Sequence, residues 1–131
     1  MRKWLLAGLF GYSAVLIFIS VMPLSMGTSE SLSNIYLLDF RLDYLLHVLI
    51  FAVWGVLAGI YASRFAKERN KILLNLFLVG LLLAVSTEYV QRFIPYRGYN
   101  VNDLVGNVIG VVLGFGVLLA TGRYRRSKLT D

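Results

Sequence analysis

The chain has 131 residues, of which 58% are hydrophobic and 15% charged, with a formal charge of +6. An ordinary soluble domain is about 45–50% apolar and roughly 25% charged, so the balance departs toward a membrane protein. There is no cysteine, which excludes a disulfide framework, a thiolate metal site and a cysteine nucleophile.

Four apolar runs follow one another. The first, Trp4 to Met22, is preceded by Arg2 and Lys3. A signal peptide is the rival reading, but the run exceeds the usual ~7–15 residue apolar core, and no A-x-A site follows. An uncleaved span of about 20 residues is the expectation. Pro23 and Gly27 end it and open a polar connection to Phe40, within which Asn34 to Phe40 is expected as a short interfacial helix. The second span is expected over 42–63 and begins with Asp43, Tyr44 and His47. A basic hinge follows, with Arg64, Lys67, Arg69 and Lys71. The third span is expected over 72–94, stopped by Pro95, which has no N–H to continue a helix. After a tight turn at Tyr96 to Val101, with Asn100 or Asn102 available as N-cap, the fourth span runs over 102–121. The expected fold is all-α: one domain over 1–131, a bundle of four transmembrane helices.

Charge sets the expected orientation. Ten of the thirteen Lys and Arg residues lie in the N-terminus, the middle hinge and the tail, leaving only Arg41, Arg92 and Arg97 on the other side. The positive-inside rule makes both termini cytoplasmic. Basic residues in short clusters between apolar runs control topology, so no nucleic-acid partner is expected. The bilayer is the first partner.

Polar residues then fall into one layer near the outer surface. Asp43 and His47 are four apart on the second span, as are Asp103 and Asn107 on the fourth. Glu88, Gln91 and Arg92 share a face of the third. Ionisable groups at membrane depth are costly and face the bundle interior. The polar face of the fourth span continues as Gly106, Gly110 and Gly114, and the second span carries Gly55 and Gly59 below its polar pair, which predicts a tightly packed inner half. A bland reading stands beside each residue. Asp43 and Asp103 suit helix N-termini, Arg92 and Arg97 suit interface anchors, His47 suits packing and Asn107 suits interhelical glue. Glu88 resists this, because its burial needs a partner: Arg92, His47 or a shared proton.

The set Asp43-Tyr-Leu-Leu-His47, the stretch Glu88 to Arg97 patterned E-x-x-Q-x-x-x-P-x-R, and the stretch Asn102 to Gly110 patterned N-D-x-x-x-N-x-x-G resemble the VanZ-like family of small bacterial membrane proteins. Together they run from Asp43 to Gly110, about half the chain. The resemblance implies a four-helix integral membrane protein of the bacterial cytoplasmic membrane and a link to glycopeptide (teicoplanin) resistance.

Two functions of different class are expected from the polar layer. In the first, an outward-facing pocket of Asp43, His47, Glu88, Gln91, Arg92, Arg97, Asn102, Asp103 and Asn107 binds a lipid-linked or lipopeptide ligand, with Arg92 and Arg97 on an anionic head group. In the second, Glu88 and His47 form a general base pair, or Asp43, His47, Glu88 and Asp103 hold a divalent cation that activates water. No cofactor is expected otherwise. A structural membrane subunit is the third reading. A transporter is disfavoured, because the polar layer does not continue into the inner half.

Overall fold

The computed structural model describes residues 2–22, 36–37, 40–65, 68–94 and 98–127. Within them the chain forms α1 (Arg2–Val21), β1 (Tyr36–Leu37), β2 (Phe40–Arg41), α2 (Leu42–Phe65), α3 (Arg69–Gln91) and α4 (Val101–Ser127). Each helix contains a stretch long and apolar enough to cross a membrane: Lys3–Val21, Leu42–Arg64, Arg69–Gln91 and Val101–Ala120. Backbone groups in hydrocarbon have no water to bond, so an apolar run of this length satisfies them by winding into a helix. Large apolar side chains accordingly face outward, among them Trp4, Phe10, Leu82 and Val117. The protein is an all-α, multi-pass membrane protein.

The helix boundaries differ from the sequence expectation in ways that matter for the site. α3 ends at Gln91, not at Ile94. Arg92, Phe93 and Ile94 bond back three residues, to the carbonyls of Tyr89, Val90 and Gln91 at 3.3, 3.0 and 3.1 Å. The last turn is therefore tightened, as happens where a helix runs out. Glu88 lies less than one turn from that end rather than nearly two. The short helix expected at Asn34 to Phe40 is also corrected. Where that stretch is described it is an antiparallel ladder, with Tyr36 opposite Arg41 and Leu37 opposite Phe40. Tyr and Phe fit a pleated surface better than an isolated helical turn. Pro23, Gly27, Pro95 and Arg97 lie outside the described residues.

The seam between α2 and α4 organises the bundle. Lipid is as apolar as leucine, so helices here gain from close packing rather than from leaving water. Glycine permits that closeness. A Cβ on Gly110 would strike the Val48 carbonyl oxygen and sit 2.8 Å from Phe51 Cβ. One on Gly114 would strike the Ala52 carbonyl oxygen and sit 2.9 Å from Gly55 Cα. Gly114 thus meets Gly55 backbone to backbone, and the half of the bundle away from the polar layer is closely packed.

Aromatic packing completes that half. Trp54 is buried, and Gly80 of α3 makes room for its ring. Phe115 lies between Trp54 and Phe77, with ring centroids 6.4 and 5.5 Å away, the second pair edge-on. Such pairs contribute about 0.5–1.5 kcal/mol each. The indole N–H of Trp54 donates to Ser13 Oγ at 2.9 Å, and the Tyr12 hydroxyl donates to the Ile50 carbonyl at 2.9 Å. These two bonds fix α1 against α2 without opening the α2–α4 seam.

Candidate functional site

The polar end of the seam is where α2 begins, α3 ends and α4 begins. Asn100 starts α4. Its side-chain oxygen accepts the Asn102 N–H at 3.0 Å, and its carbonyl accepts the N–H groups of Asp103 and Leu104 at 3.1 Å. Of the two asparagines offered by the sequence, Asn100 is the cap. Its own N–H donates to Glu88 Oε1 at 2.8 Å. Glu88 is fully buried. A buried carboxylate is tolerable there because the first turn of α4 presents the positive end of the helix dipole. A backbone N–H and a helix terminus are thus among the partners that Glu88 has.

Gly106 carries the close approach of α2 and α4 into the polar end. A Cβ at that position would lie 3.3 Å from both His47 Cβ and the Tyr44 carbonyl oxygen. With none there, His47 reaches Asn107, and its Nδ1 lies 2.8 Å from Asn107 Oδ1. An amide oxygen only accepts, so Nδ1 carries the hydrogen. In the neutral ring Nε2 then holds the lone pair. Nε2 faces Asp103 Oδ2 at 3.9 Å, beyond hydrogen-bond reach. Asn107 is 1% exposed, whereas the His47 side chain is 25% exposed and that of Asp103 is 12% exposed. The ring is held from the buried side and open on the other.

One turn nearer the end, Asn102 Nδ2 donates to the Tyr44 hydroxyl at 3.2 Å. Asp43, in the first turn of α2, accepts the Tyr44 N–H at 3.0 Å. The structure therefore brings together His47, Asp103 and Asn107, and beside them Tyr44 and Asn102. Tyr44 was named by the sequence only as a neighbour of Asp43. Its spacing of three from His47 is the signal that places it on the same face.

Other expected site residues stand elsewhere. Gln91 is buried at the end of α3, but Arg92 is an exposed C-cap. The two were expected on one face, yet the helix stops between them and Arg92 turns out of the bundle. The Glu88–His47 base pair does not form. Among the described residues the polar contacts of His47 are Asn107 and Asp103, while Glu88 faces Asn100. Nor do Asp43, His47, Glu88 and Asp103 gather around one point. Among the described residues no three His, Asp or Glu side chains form a group suited to a metal ion.

A protein-family model described as VanZ/LLP1 matches residues 9–122. No curated protein and no solved structure matches the chain.

Proposed function

Because the chain belongs to the VanZ/LLP1 family, we propose that it binds the polar head of a lipid-linked or lipophilic cell-envelope ligand, through the cradle formed by His47, Asp103 and Asn107. The setting is the bacterial cytoplasmic membrane. Both termini are cytoplasmic and the cradle faces outward, as the distribution of Lys and Arg supports.

One observation carries the reading. His47 is oriented from its buried side by Asn107 at 2.8 Å, and its free edge faces Asp103 across 3.9 Å. Polar side chains this deep in a bundle are costly, and packing alone does not require an imidazole edge left reachable. Tyr44 and Asn102 extend the polar lining toward the helix ends. Glu88 acts at a distance from the ligand: it holds the start of α4, which sets where Asp103 and Asn107 stand. Teicoplanin and polyprenyl-pyrophosphate-linked glycans are the ligand classes to try first, given the link of the resembled family to glycopeptide resistance.

The test is direct binding to purified protein in lipid nanodiscs. Teicoplanin or a polyprenyl-pyrophosphate-linked disaccharide is expected to bind the native chain, and His47→Ala or Asp103→Asn to weaken it by about tenfold or more. Binding that neither substitution alters would remove the cradle from the site.

The same gap supports a second reading, acid–base catalysis on a lipid-linked substrate. His47 would then be the general base and Asp103, not Glu88, its carboxylate partner. Asp103→Asn would abolish turnover while a saturable complex persisted. A protein that binds its ligand and leaves it chemically unchanged has no need of this reading.

A further inference from the structure

We propose that α3 pairs with α3 of a second copy of this chain, forming a parallel two-fold seam in the membrane centred on Asn75. The face concerned points out of the bundle, and nothing in it depends on what the cradle binds.

Asn75 is exposed on α3, inside the membrane-spanning stretch Arg69–Gln91. A helix of 23 residues is about 34 Å long and the hydrocarbon core about 30 Å thick. With α3 centred, Asn75 sits roughly 7 Å inside that core. Its short stem cannot carry the carboxamide back to the interface as a lysine carries its ammonium. Its own helix offers only carbonyls that the backbone ladder already uses. The remaining donor and acceptor would face hydrocarbon, which is costly. The other helices avoid this. Among the described residues, between their terminal turns, α1, α2 and α4 expose only apolar side chains and glycine.

The residues around Asn75 form a stripe. Lys71, Asn75, Leu78, Leu82, Val85 and Tyr89 follow at alternating spacings of four and three, and all are exposed. A repeat averaging 3.5 residues keeps one stripe against one neighbouring helix along the whole length of α3. Leu78, Leu82 and Val85 are equally at home in lipid, so Asn75 decides. One asparagine in such a stripe fixes register and the number of helices. It also names the partner. A carboxamide both donates and accepts, so two of them related by a two-fold axis satisfy each other. Copies inserted in one orientation bring their α3 helices together in parallel, and Asn75 then meets Asn75 at one depth. Charge agrees at the Arg69 end. Lys71 Nζ lies 3.3 Å from Glu68 Oε2, with both side chains exposed. A two-fold image of this pair sets each cation beside an anion.

The chain has no cysteine, so single introduced cysteines report the seam cleanly. The full chain carrying Leu78→Cys, Leu82→Cys or, on α2, Leu49→Cys would be reconstituted in phosphatidylcholine vesicles at low protein-to-lipid ratio and oxidised with copper phenanthroline. Leu78→Cys and Leu82→Cys are expected to give a disulfide-linked dimer. Leu49→Cys, on another exposed position, is expected to give little. Förster transfer between copies labelled at the N-terminus would be followed as the protein is diluted with lipid. The native chain is expected to associate as a dimer. Asn75→Leu, similar in size but without the carboxamide, is expected to need about tenfold more protein per lipid for half-association, with an unchanged helical circular dichroism spectrum. Asn75→Gln keeps the carboxamide and should retain part of the native association.

Crosslinking of Leu49→Cys as strong as that of the α3 positions would overturn the proposal, as would no crosslinking at either α3 position. So would a native chain that stays monomeric at every dilution, since lipid alone then accommodates Asn75. Association of Asn75→Leu as tight as that of the native chain would overturn it too, and so would transfer that fits a trimer, which has no two-fold axis. The crosslinking is done with Asn75 in place, so it decides the matter even where Asn75→Leu does not fold.

Discussion

Glu88 on α3 accepts a hydrogen bond from the backbone N–H of Asn100 at 2.8 Å, and Asn100 is the residue that caps α4. One buried carboxylate thereby ties the end of one membrane helix to the start of the next. The tie predicts an order among substitutions. Glu88→Gln keeps an acceptor oxygen but loses the charge at the helix terminus, and is expected to cost about 1–2 kcal/mol. Glu88→Ala leaves the Asn100 N–H without its acceptor and opens a cavity, so it should cost more, roughly 2–4 kcal/mol. Equilibrium unfolding of the purified protein in mixed micelles reads both. Equal stability of the two variants would mean that the bond to Asn100 contributes nothing.

The glycine seam predicts a contrast between neighbouring turns of one helix. Gly110→Ala drives a methyl group into the Val48 carbonyl, and Gly114→Ala drives one into that of Ala52. Backbone cannot swing aside as a flexible side chain does, so α2 and α4 must part. A cost of about 1–3 kcal/mol or more is expected for each, together with loss of the His47–Asn107 contact. Gly116 has nothing within 4 Å of the corresponding position. Gly116→Ala is expected to be neutral or to stabilise by up to about 1 kcal/mol, through helix propensity alone. Thermal unfolding of the three variants side by side checks the pattern.

Asn107 predicts the state of its partner. Its oxygen holds the hydrogen of His47 on Nδ1. Asn107→Leu should release it, and the 15N spectrum of the single histidine should change from one tautomer to a mixture. The substitution is expected to cost about 1–3 kcal/mol as well, because the ring nitrogen loses its partner at a buried face.

Much of this is legible in the amino-acid sequence. The four spans follow from length and hydropathy, and the glycine rows at spacings of four announced the seam. The i, i+4 pairs Asp43/His47 and Asp103/Asn107 put their residues on facing sides, and three of the four meet across the α2–α4 seam or face one another over the gap. What the sequence did not convey was where α3 would stop. Pro95 announces an end, but the tightening of the preceding turn ends the helix at Gln91. That shift sends Arg92 outward and sets Glu88 against the N-terminus of α4. Sequence spacing reports which residues share a helix face. It does not report that a carboxylate will choose a backbone N–H twelve residues on over an arginine four residues on.

Arg92 supplies a prediction from its position. It is exposed at the C-cap, so Arg92→Ala is expected to shift stability by no more than about 0.5 kcal/mol. Binding of a ligand held in the cradle should change little. A large loss of binding would show that the ligand extends past the end of α3 and contacts the guanidinium.

If His47 and Asp103 act together on one ligand group, a double-mutant cycle measures their coupling. Binding of the lipid-linked disaccharide or of teicoplanin would be compared for the native chain, His47→Ala, Asp103→Asn and the double variant. Non-additivity is expected, with the second substitution costing little once the first is made and a coupling of at least about 1 kcal/mol. Strictly additive losses, or no loss from either substitution, would contradict it.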